Sequence, residues 1–523
     1  MPAAAHIRPT PRAQIAVFLA AVVSHLPALA NQFAIDDAII LANPAIASLR
    51  TVPAALTSAW WYTTFRLYRP LTLLSFAVER AIAGTSALPP HAVNLVLHGI
   101  VAVLLARLLA RFVAPSAAVV GALFFAVLPV HAESVASVVG RAELLSALAM
   151  VALMLLVTGD TPPARRERML AALLGALALA SKEGGVVAPA LALAAAWLRP
   201  TQRPYATRWA LSTAVGTLVL LLARLMVLGT FGGDLANPVF RITTTDERIR
   251  IALSLIPRSA AMLVSPVRPA IDYVPTLDQL TNLSPVMIVL GVVLVAAVTL
   301  AMVLHFRRPS AIGLGAWILG ATFMPTANLL FPTGVVLTGR TLYAPSMGVA
   351  LLIAVVAARL RGVRLAPVST AVAAMVLVVA SWVTWHESAV WRSTASVVAE
   401  MQRRHPDDYR SFAQLAWTAR DAGHDAEAVR QFREAARRLP GDPEMLTDAA
   451  TVALRLHDTV TARAWLEQAL AVSARAARGR TRLAHVRLAQ HDTAGAKRLL
   501  IEGLQLEPDQ RAWRDELRAL GNR

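Results

Sequence analysis

The sequence predicts an all-α protein. A polytopic bundle of about eleven membrane helices fills residues 1–386, a linker helix spans 387–405, and an α-solenoid of about three helical repeats fills 406–523. Three observations lead there. Of 523 residues, 56% are hydrophobic and only 16% charged, a membrane composition diluted by a soluble part. The apolar runs before residue 386 are separated by short arginine clusters, as in a chain threaded repeatedly through a bilayer. Beyond residue 405, a helix-turn boundary recurs at Pro406, Pro440, Ala474 and Pro508.

The basic clusters are Arg8/Arg12, Arg107/Arg111, Arg165/Arg166/Arg168, Arg199/Arg203/Arg208, Arg307/Arg308 and Arg359/Arg361/Arg364. Placing all six on the cytoplasmic side gives a self-consistent path. Spans then cover 13–30, 92–111, 116–130, 141–158, 168–181, 185–198, 209–228, 285–304, 311–330, 343–359 and 366–385. The first follows His6, Arg8 and Arg12 as a signal peptide would. It lacks a small-residue cleavage site and is needed for the topology, so it reads as an uncleaved helix. Several spans fall short of the ~20 residues of a straight crossing, as broken helices do. Outer loops are expected at 31–91 and 229–284, and within them segments 68–84 and 248–264 suit amphipathic or re-entrant helices. Trp60-Trp61-Tyr62 reads as an interfacial anchor. An odd number of crossings starting inside puts the repeats outside.

The repeats carry small residues at matching positions. Ala416, Ala428, Phe432 and Ala435 return as Ala450, Ala462, Leu466 and Ala469, then as Ala484, Ala496, Leu500 and Gly503. Paired helices need small residues where their backbones approach and a turn-former where the pair ends. The step of 34 residues is the period of a tetratricopeptide array, a scaffold that binds polypeptide.

A net charge of +18 could suggest nucleic acid, but the arginines of the first 386 residues lie between apolar runs, where they meet lipid head groups and set topology. Membrane lipid is therefore the expected partner and nucleic acid is not. The chain has no cysteine, so disulfides and thiolate metal sites are excluded. Its alanine and arginine richness suggests a high-GC bacterium, and so an inner membrane.

The topology brings the unusual polar motifs to the outer side: Asp36-Asp37, Tyr68-Arg69-Pro70, His131 and Glu133 after Pro129, Arg141 and Glu143, Lys182-Glu183, Asp234 with Asn237-Pro238, Asp272-Tyr273, and Thr338-Gly339-Arg340. Ionisable groups at membrane depth are costly and usually functional. Arg and Lys can hold a lipid-linked phosphate, and a carboxylate can take the proton of an incoming hydroxyl while the phosphate leaves an anomeric carbon. Such a set suits transfer of a sugar from a polyprenyl-phosphate carrier. The plainer readings are that Asp36-Asp37 caps a short helix, that Lys182 and Glu183 neutralise each other between two short helices, and that Arg340 marks an interfacial helix start. Arg224 either snorkels outward or faces a polar cavity. His131 and Glu133, two residues apart, do not share a helical face, so a helix-borne metal pair is not expected.

Those motifs resemble the transmembrane and tetratricopeptide-repeat protein O-mannosyltransferases and their bacterial relatives, within the C-type membrane glycosyltransferase fold. The stretches that carry the likeness are DDAIILANP (36–44), YRPLTLLSF (68–76), HAVNLVLHG (91–99), FAVLPVHAESVASVVGRAELLSAL (125–148), SKEGG (181–185), DYVP (272–275) and PTANLLFPTGVVLTGRTLYAPSMG (325–348), followed by the repeats. The resemblance implies a hexosyltransferase, usually of mannose, that takes its sugar from a lipid phosphate and modifies Ser or Thr hydroxyls of exported proteins. It implies no metal and no cofactor besides the lipid-linked sugar. It makes Asp36 or Asp37 the base and assigns Arg69, Arg141 and Lys182 to donor phosphate or pocket structure, with His131, Glu133, Glu143, Glu183 and Arg340 as further substrate-binding candidates. The chain departs from its relatives at Leu128, where they usually have His, and at Gly339, where they usually have an acidic residue. Two other readings remain open: a transferase acting on a lipid or envelope glycan, and a non-catalytic membrane-anchored repeat scaffold.

Overall fold

The computed structural model describes residues 8–60, 67–231, 236–360, 366–506 and 510–521. Within them the chain is helical, and its one β-type pairing is the isolated bridge between Tyr273 and Leu337. Trp61, Tyr62, Asp234, Arg361, Arg364 and Pro508, each used in the sequence reading, lie outside the described residues.

The first part of the chain runs α1 (Pro11–Ser24), α2 (Asp36–Leu41), α3 (Val52–Thr57), α4 (Pro70–Ala83), α5 (Leu88–Leu109), α6 (Pro115–Val127), α7 (Ala132–Ala136), α8 (Arg141–Val157), α9 (Arg165–Ser181), α10 (Ala188–Leu198) and α11 (Ala206–Leu228). It continues through α12 (Pro238–Arg241), α13 (Thr245–Val264), α14 (Leu277–Thr281), α15 (Pro285–Arg307), α16 (Ala311–Phe323), α17 (Tyr343–Leu360) and α18 (Ala366–Val390). Each of the eleven expected spans overlaps a helix, but 13–30, 116–130 and 311–330 run past the helix ends at Ser24, Val127 and Phe323. Among the described residues, six helical stretches, counting short turns that lead into them, are long and apolar enough to cross a membrane. They are Leu88–Leu109, Val138–Val157, Arg203–Leu228, Pro285–Arg307, Gly339–Leu360 and Pro367–Val390, and a pair bent by 48° between Pro115 and Ala136 would make seven. Three further apolar helices are shorter, Pro11–Ser24, Glu183–Leu198 and Ala311–Thr326, and α9 opens on the charged run Arg165 to Arg168.

Close helix approach is built from small residues. A Cβ at Gly216 would lie 1.7 Å from the Ala172 carbonyl, and one at Gly121 would lie 2.3 Å from that of Ala350. Small-residue contacts of this kind pack helices where lipid supplies no hydrophobic drive. The expected linker helix over 387–405 is instead two pieces: α18 continues to Val390, and α19 (Thr394–Arg404) starts afresh with Ser393 capping it. Arg404 clamps the break, reaching Glu387 at 2.7 Å, Glu400 at 2.6 Å and the Pro269 carbonyl at 2.7 Å.

The remainder is α20 (Tyr409–Asp421), α21 (Asp425–Arg438), α22 (Pro443–Arg455), α23 (Thr459–Val472), α24 (Ala477–Ala489), α25 (Thr493–Leu506) and α26 (Arg511–Gly521), each packed on the next. Helix starts at Tyr409, Pro443, Ala477 and Arg511 recur at the expected step, as do those at Asp425, Thr459 and Thr493. The small residues that matched in sequence are buried in these contacts. Between the helices of successive pairs, Gly423, His457 and His491 take left-handed φ of 78°, 58° and 62°, the conformation that closes such turns. This array is not a separate body. Its core runs on into segments of the first part of the chain, where Val239, Phe240, Ile251, Val274 and Val336 pack with Tyr409, Ala413 and Leu446.

Candidate functional site

The fold brings motif residues from six distant segments to one end of the bundle. Ile35, at φ 50°, holds a backbone conformation that a β-branched residue rarely adopts, and its N–H donates to Thr394 Oγ1 at 3.0 Å. This kink starts α2 and sends its first two side chains to different places. Asp36, 23% exposed, meets Arg340 Nη1 at 3.4 Å. Asp37 is fully buried and accepts from Val139 N at 2.9 Å, Ser137 Oγ at 3.0 Å and Ala34 N at 3.3 Å. Burial pushes its carboxyl up to about 6, against the pull of those donors.

Arg340 enters from the turn before α17. Its Nε lies 3.4 Å from Glu133 Oε1, and its backbone N–H donates to Glu133 Oε2 at 3.1 Å. The Thr338 hydroxyl donates to the same carboxylate. The Gly339 N–H donates to the Ala270 carbonyl at 3.1 Å and the Tyr273 N–H to Leu337 at 2.9 Å, so segment 270–273 runs beside this turn. There Asp272, itself at φ 43°, pairs with Arg410 of the array at 2.7 Å. A second group lies beside the first: Arg69 grips Glu183 through Nε at 3.0 Å and Nη2 at 2.8 Å, Arg224 reaches the same carboxylate at 3.7 Å, and Lys182 pairs with Glu143. The Thr72 hydroxyl, bonded to the Ser181 carbonyl at 3.0 Å, ties α4 to this strand of cations. Lys182 is close enough to Arg340 and Glu133 for their charges to act on it. Among the described residues, no group of three or more His, Cys, Asp or Glu is arranged to hold a metal ion.

No family model matches the chain. Curated proteins do. It is 26% identical over 324 residues to Protein O-mannosyl-transferase TMTC3 of Mus musculus, covering 55% of this chain and 35% of that one. It is 29% identical over 448 residues to Protein O-mannosyl-transferase Tmtc3 of Drosophila melanogaster (71% and 48%), and 25% over 443 residues to Protein O-mannosyl-transferase TMTC1 of Homo sapiens (75% and 50%). The chain is TMTC-like. It spans about a third to a half of the length of these relatives.

Several residues of the TMTC-like chain sit elsewhere than expected. Lys182 and Glu183 are not partners of each other; the chain turns between them, and each pairs with a different segment. His131 is turned away from Glu133 into the bundle, 2.8 Å from Ser346 Oγ and in tilted ring contact with Tyr343 at 4.6 Å. Behind it His98 bonds the Tyr343 hydroxyl at 2.8 Å and touches His25 edge-on at 4.8 Å. Arg141 is 1% exposed, its guanidinium held by Glu79 at 2.6 Å, Asn94 Oδ1 at 3.0 Å and the Pro90 carbonyl at 3.1 Å, over the Phe76 ring. Despite the missing neighbour at Gly339, Arg340 is ion-paired, through partners remote in sequence. A larger residue at 339 would crowd the Val130 carbonyl, 2.9 Å from a Cβ there. Sequence reasoning missed Glu79, Asn94 and Arg410. The first two were visible as polar residues in largely apolar helices, Glu79 beside Arg80 and Asn94 between His91 and His98; Arg410, one of many array arginines, carried no such mark.

Proposed function

We propose that this chain is a membrane-embedded glycosyltransferase that moves a hexose, of which mannose is the first candidate, from a polyprenyl-phosphate carrier to Ser or Thr hydroxyls of exported proteins. The sugar acceptor would be met on the extracytoplasmic side of a bacterial inner membrane, with the N-terminus in the cytoplasm and the 34-residue repeats, read as tetratricopeptide units, outside. One observation carries the reading: Asp36 is a partly open carboxylate facing Arg340, and Arg340 and Arg69 both lie close enough to Lys182 for their charges to act on it. The names of the curated relatives, protein O-mannosyl-transferases, support mannose as the sugar and protein as the acceptor.

In this reading Asp36 takes the proton of the acceptor hydroxyl as its oxygen attacks the anomeric carbon. The bond from that carbon to the phosphate oxygen breaks, and the phosphate leaves with the electron pair. Arg340 orients Asp36, with Glu133, itself held by the Thr338 hydroxyl, fixing Arg340 in turn. Arg69 and Lys182 bind the departing phosphate, a guanidinium fork and a point charge. Glu143 and Glu183 hold these cations in place until the donor arrives. Asp37 and Arg141 build the scaffold rather than touch substrate. Membranes containing the protein, supplied with polyprenyl-phosphate mannose and a Ser/Thr-rich peptide, should transfer mannose, and Asp36→Asn should lose that transfer at unchanged expression. Full transfer by the Asn variant would remove Asp36 as base. A deletion strain that keeps its protein O-hexose but alters its envelope glycan would move the acceptor from protein to glycan.

A further inference from the structure

On the exposed apolar face of α4 lies a cleft of about 520 Å³ between α4, α5 and α8. Its walls are Leu71, Leu74, Val78 and Ile82 of α4, facing Val93 of α5 and Leu145 of α8. The α4 residues fall at positions i, i+3, i+7 and i+11, one continuous stripe along a helix of about 21 Å. Ile82 is 82% exposed, Val78 41% and Val93 38%, so the cleft is open along its length. At its floor Glu79 and Arg141 neutralise each other at 2.6 Å. A charged ligand head has no partner to gain there.

One end of the stripe is different. Leu71 is two residues from Arg69, and Thr72 is bonded to Ser181, next to Lys182. The Leu71 end of the groove is therefore the end next to Arg69 and to the Ser181-Lys182 turn. An occupant that matches both ends has an anionic head and a long, unbranched-by-charge hydrocarbon tail, with the head at Arg69 and Lys182 and the tail along α4.

We propose that the cleft between α4, α5 and α8 holds the apolar tail of the lipid-phosphate donor and thereby selects a long-chain carrier. This rests on the transferase reading above for the donor, though not for the cleft. Two experiments test it. In the first, Val78→Trp and Val93→Trp fill the groove, and Val286→Trp, on the 65% exposed position of α15, serves as control. Loss of tail burial should raise KM for a long-chain polyprenyl-phosphate sugar about tenfold or more in the groove variants alone. KM for a short-chain donor, which leaves the groove empty, should stay within about twofold. Equal changes for both donors, or none, would overturn the assignment.

The second needs no turnover. The purified protein is irradiated with a sugar-free polyprenyl phosphate bearing a diazirine in its tail, and the adducts are mapped. Adducts should fall on Leu71–Ala83 and around Val93, competed by unlabelled polyprenyl phosphate and not by phosphatidylglycerol. Equal competition by phosphatidylglycerol would give the cleft to bulk lipid, and adducts elsewhere would empty it of this role. Cleft adducts on a protein that transfers no sugar would sink the transferase reading and leave the tail site standing. Transfer without cleft adducts would do the reverse.

Discussion

Asp36 and Asp37 are adjacent in sequence, yet α2 aims one at an arginine in a partly open cluster and seals the other among backbone donors. Their substitutions should therefore fail differently. Asp36→Asn should abolish transfer with little change in thermal midpoint, whereas Asp37→Asn should destabilise, because its amide nitrogen must face a backbone N–H that now lacks an acceptor. An unsatisfied buried donor costs about 1–3 kcal/mol. A thermal-shift assay beside a transfer assay separates the two, and equal stabilities would contradict the structural role of Asp37. The Asp37 carboxyl is raised to about 6 in the folded protein, so the folded state holds its proton more tightly than the unfolded chain does. That contribution is fully present below pH ~4 and is lost as pH rises through about 6. The thermal midpoint should fall between pH 5 and pH 7, and Asp37→Asn should flatten that fall. Sequence alone picked out the pair but could not divide the roles, since the division depends on Ser137 and Val139, a hundred residues away. The same limit applied to Lys182 and Glu183, whose partners are set by tertiary packing.

At the level of elements, the repeats were the most legible part. Their period fixes where each helix starts, and small residues mark the contacts. Capping explains the remaining irregularity: Asp408 and Asp442 cap α20 and α22 through Arg410 N at 2.9 Å and Met445 N at 3.0 Å, while Ala476 before α24 offers no side-chain acceptor. Ala476→Asp should restore the missing cap and stabilise the array by about 1 kcal/mol, read as slower hydrogen exchange in α24. No slowing would mean that the N-terminus of α24 is satisfied otherwise. What the period could not reveal is that the array shares a core with Val239, Phe240, Ile251 and Val274 of the preceding part of the chain. Gly441 records it, since a Cβ there would lie 2.5 Å from the Pro238 carbonyl and 2.8 Å from Ile242 Cγ2. Gly441→Val should pry the array from α12, expose 236–242 to protease and lower transfer to peptide. Unchanged proteolysis would show that the two parts yield without separating.

Across the whole molecule the charges sort to two ends, and this was legible from the arginine clusters before any contact was known. At one end of α8 stand Arg141 and Glu143. At the other, Arg111 donates to Thr158 at 3.1 Å, Arg199 pairs with Asp160 at 2.7 Å, and Gln202 donates to the carbonyls of Gly159 and Thr161 at 2.7 Å. Arg107 meets Gln14 at 2.8 Å, bringing the start of α1 to the same end. The helix between has 17 residues, or about 25 Å, close to the apolar thickness of a bilayer. Motif residues and basic clusters thus occupy opposite ends of one bundle, although which end faces the cytoplasm follows from the clusters alone. The number of crossings was less legible, because α6, α10 and α16 stop short and turn through 3₁₀ segments at the site end, where broken helices carry side chains to a cavity. Because the chain has no cysteine, orientation can be read with single introduced thiols. A membrane-impermeant maleimide should label Thr245→Cys and Ala422→Cys in intact spheroplasts, and Thr161→Cys and Thr201→Cys only after lysis. Labelling of Ala422→Cys and Thr161→Cys from the same side would require an even number of crossings between them. The array would then share a compartment with the basic end, and a base at Asp36 would lose its access to polypeptides held by the repeats.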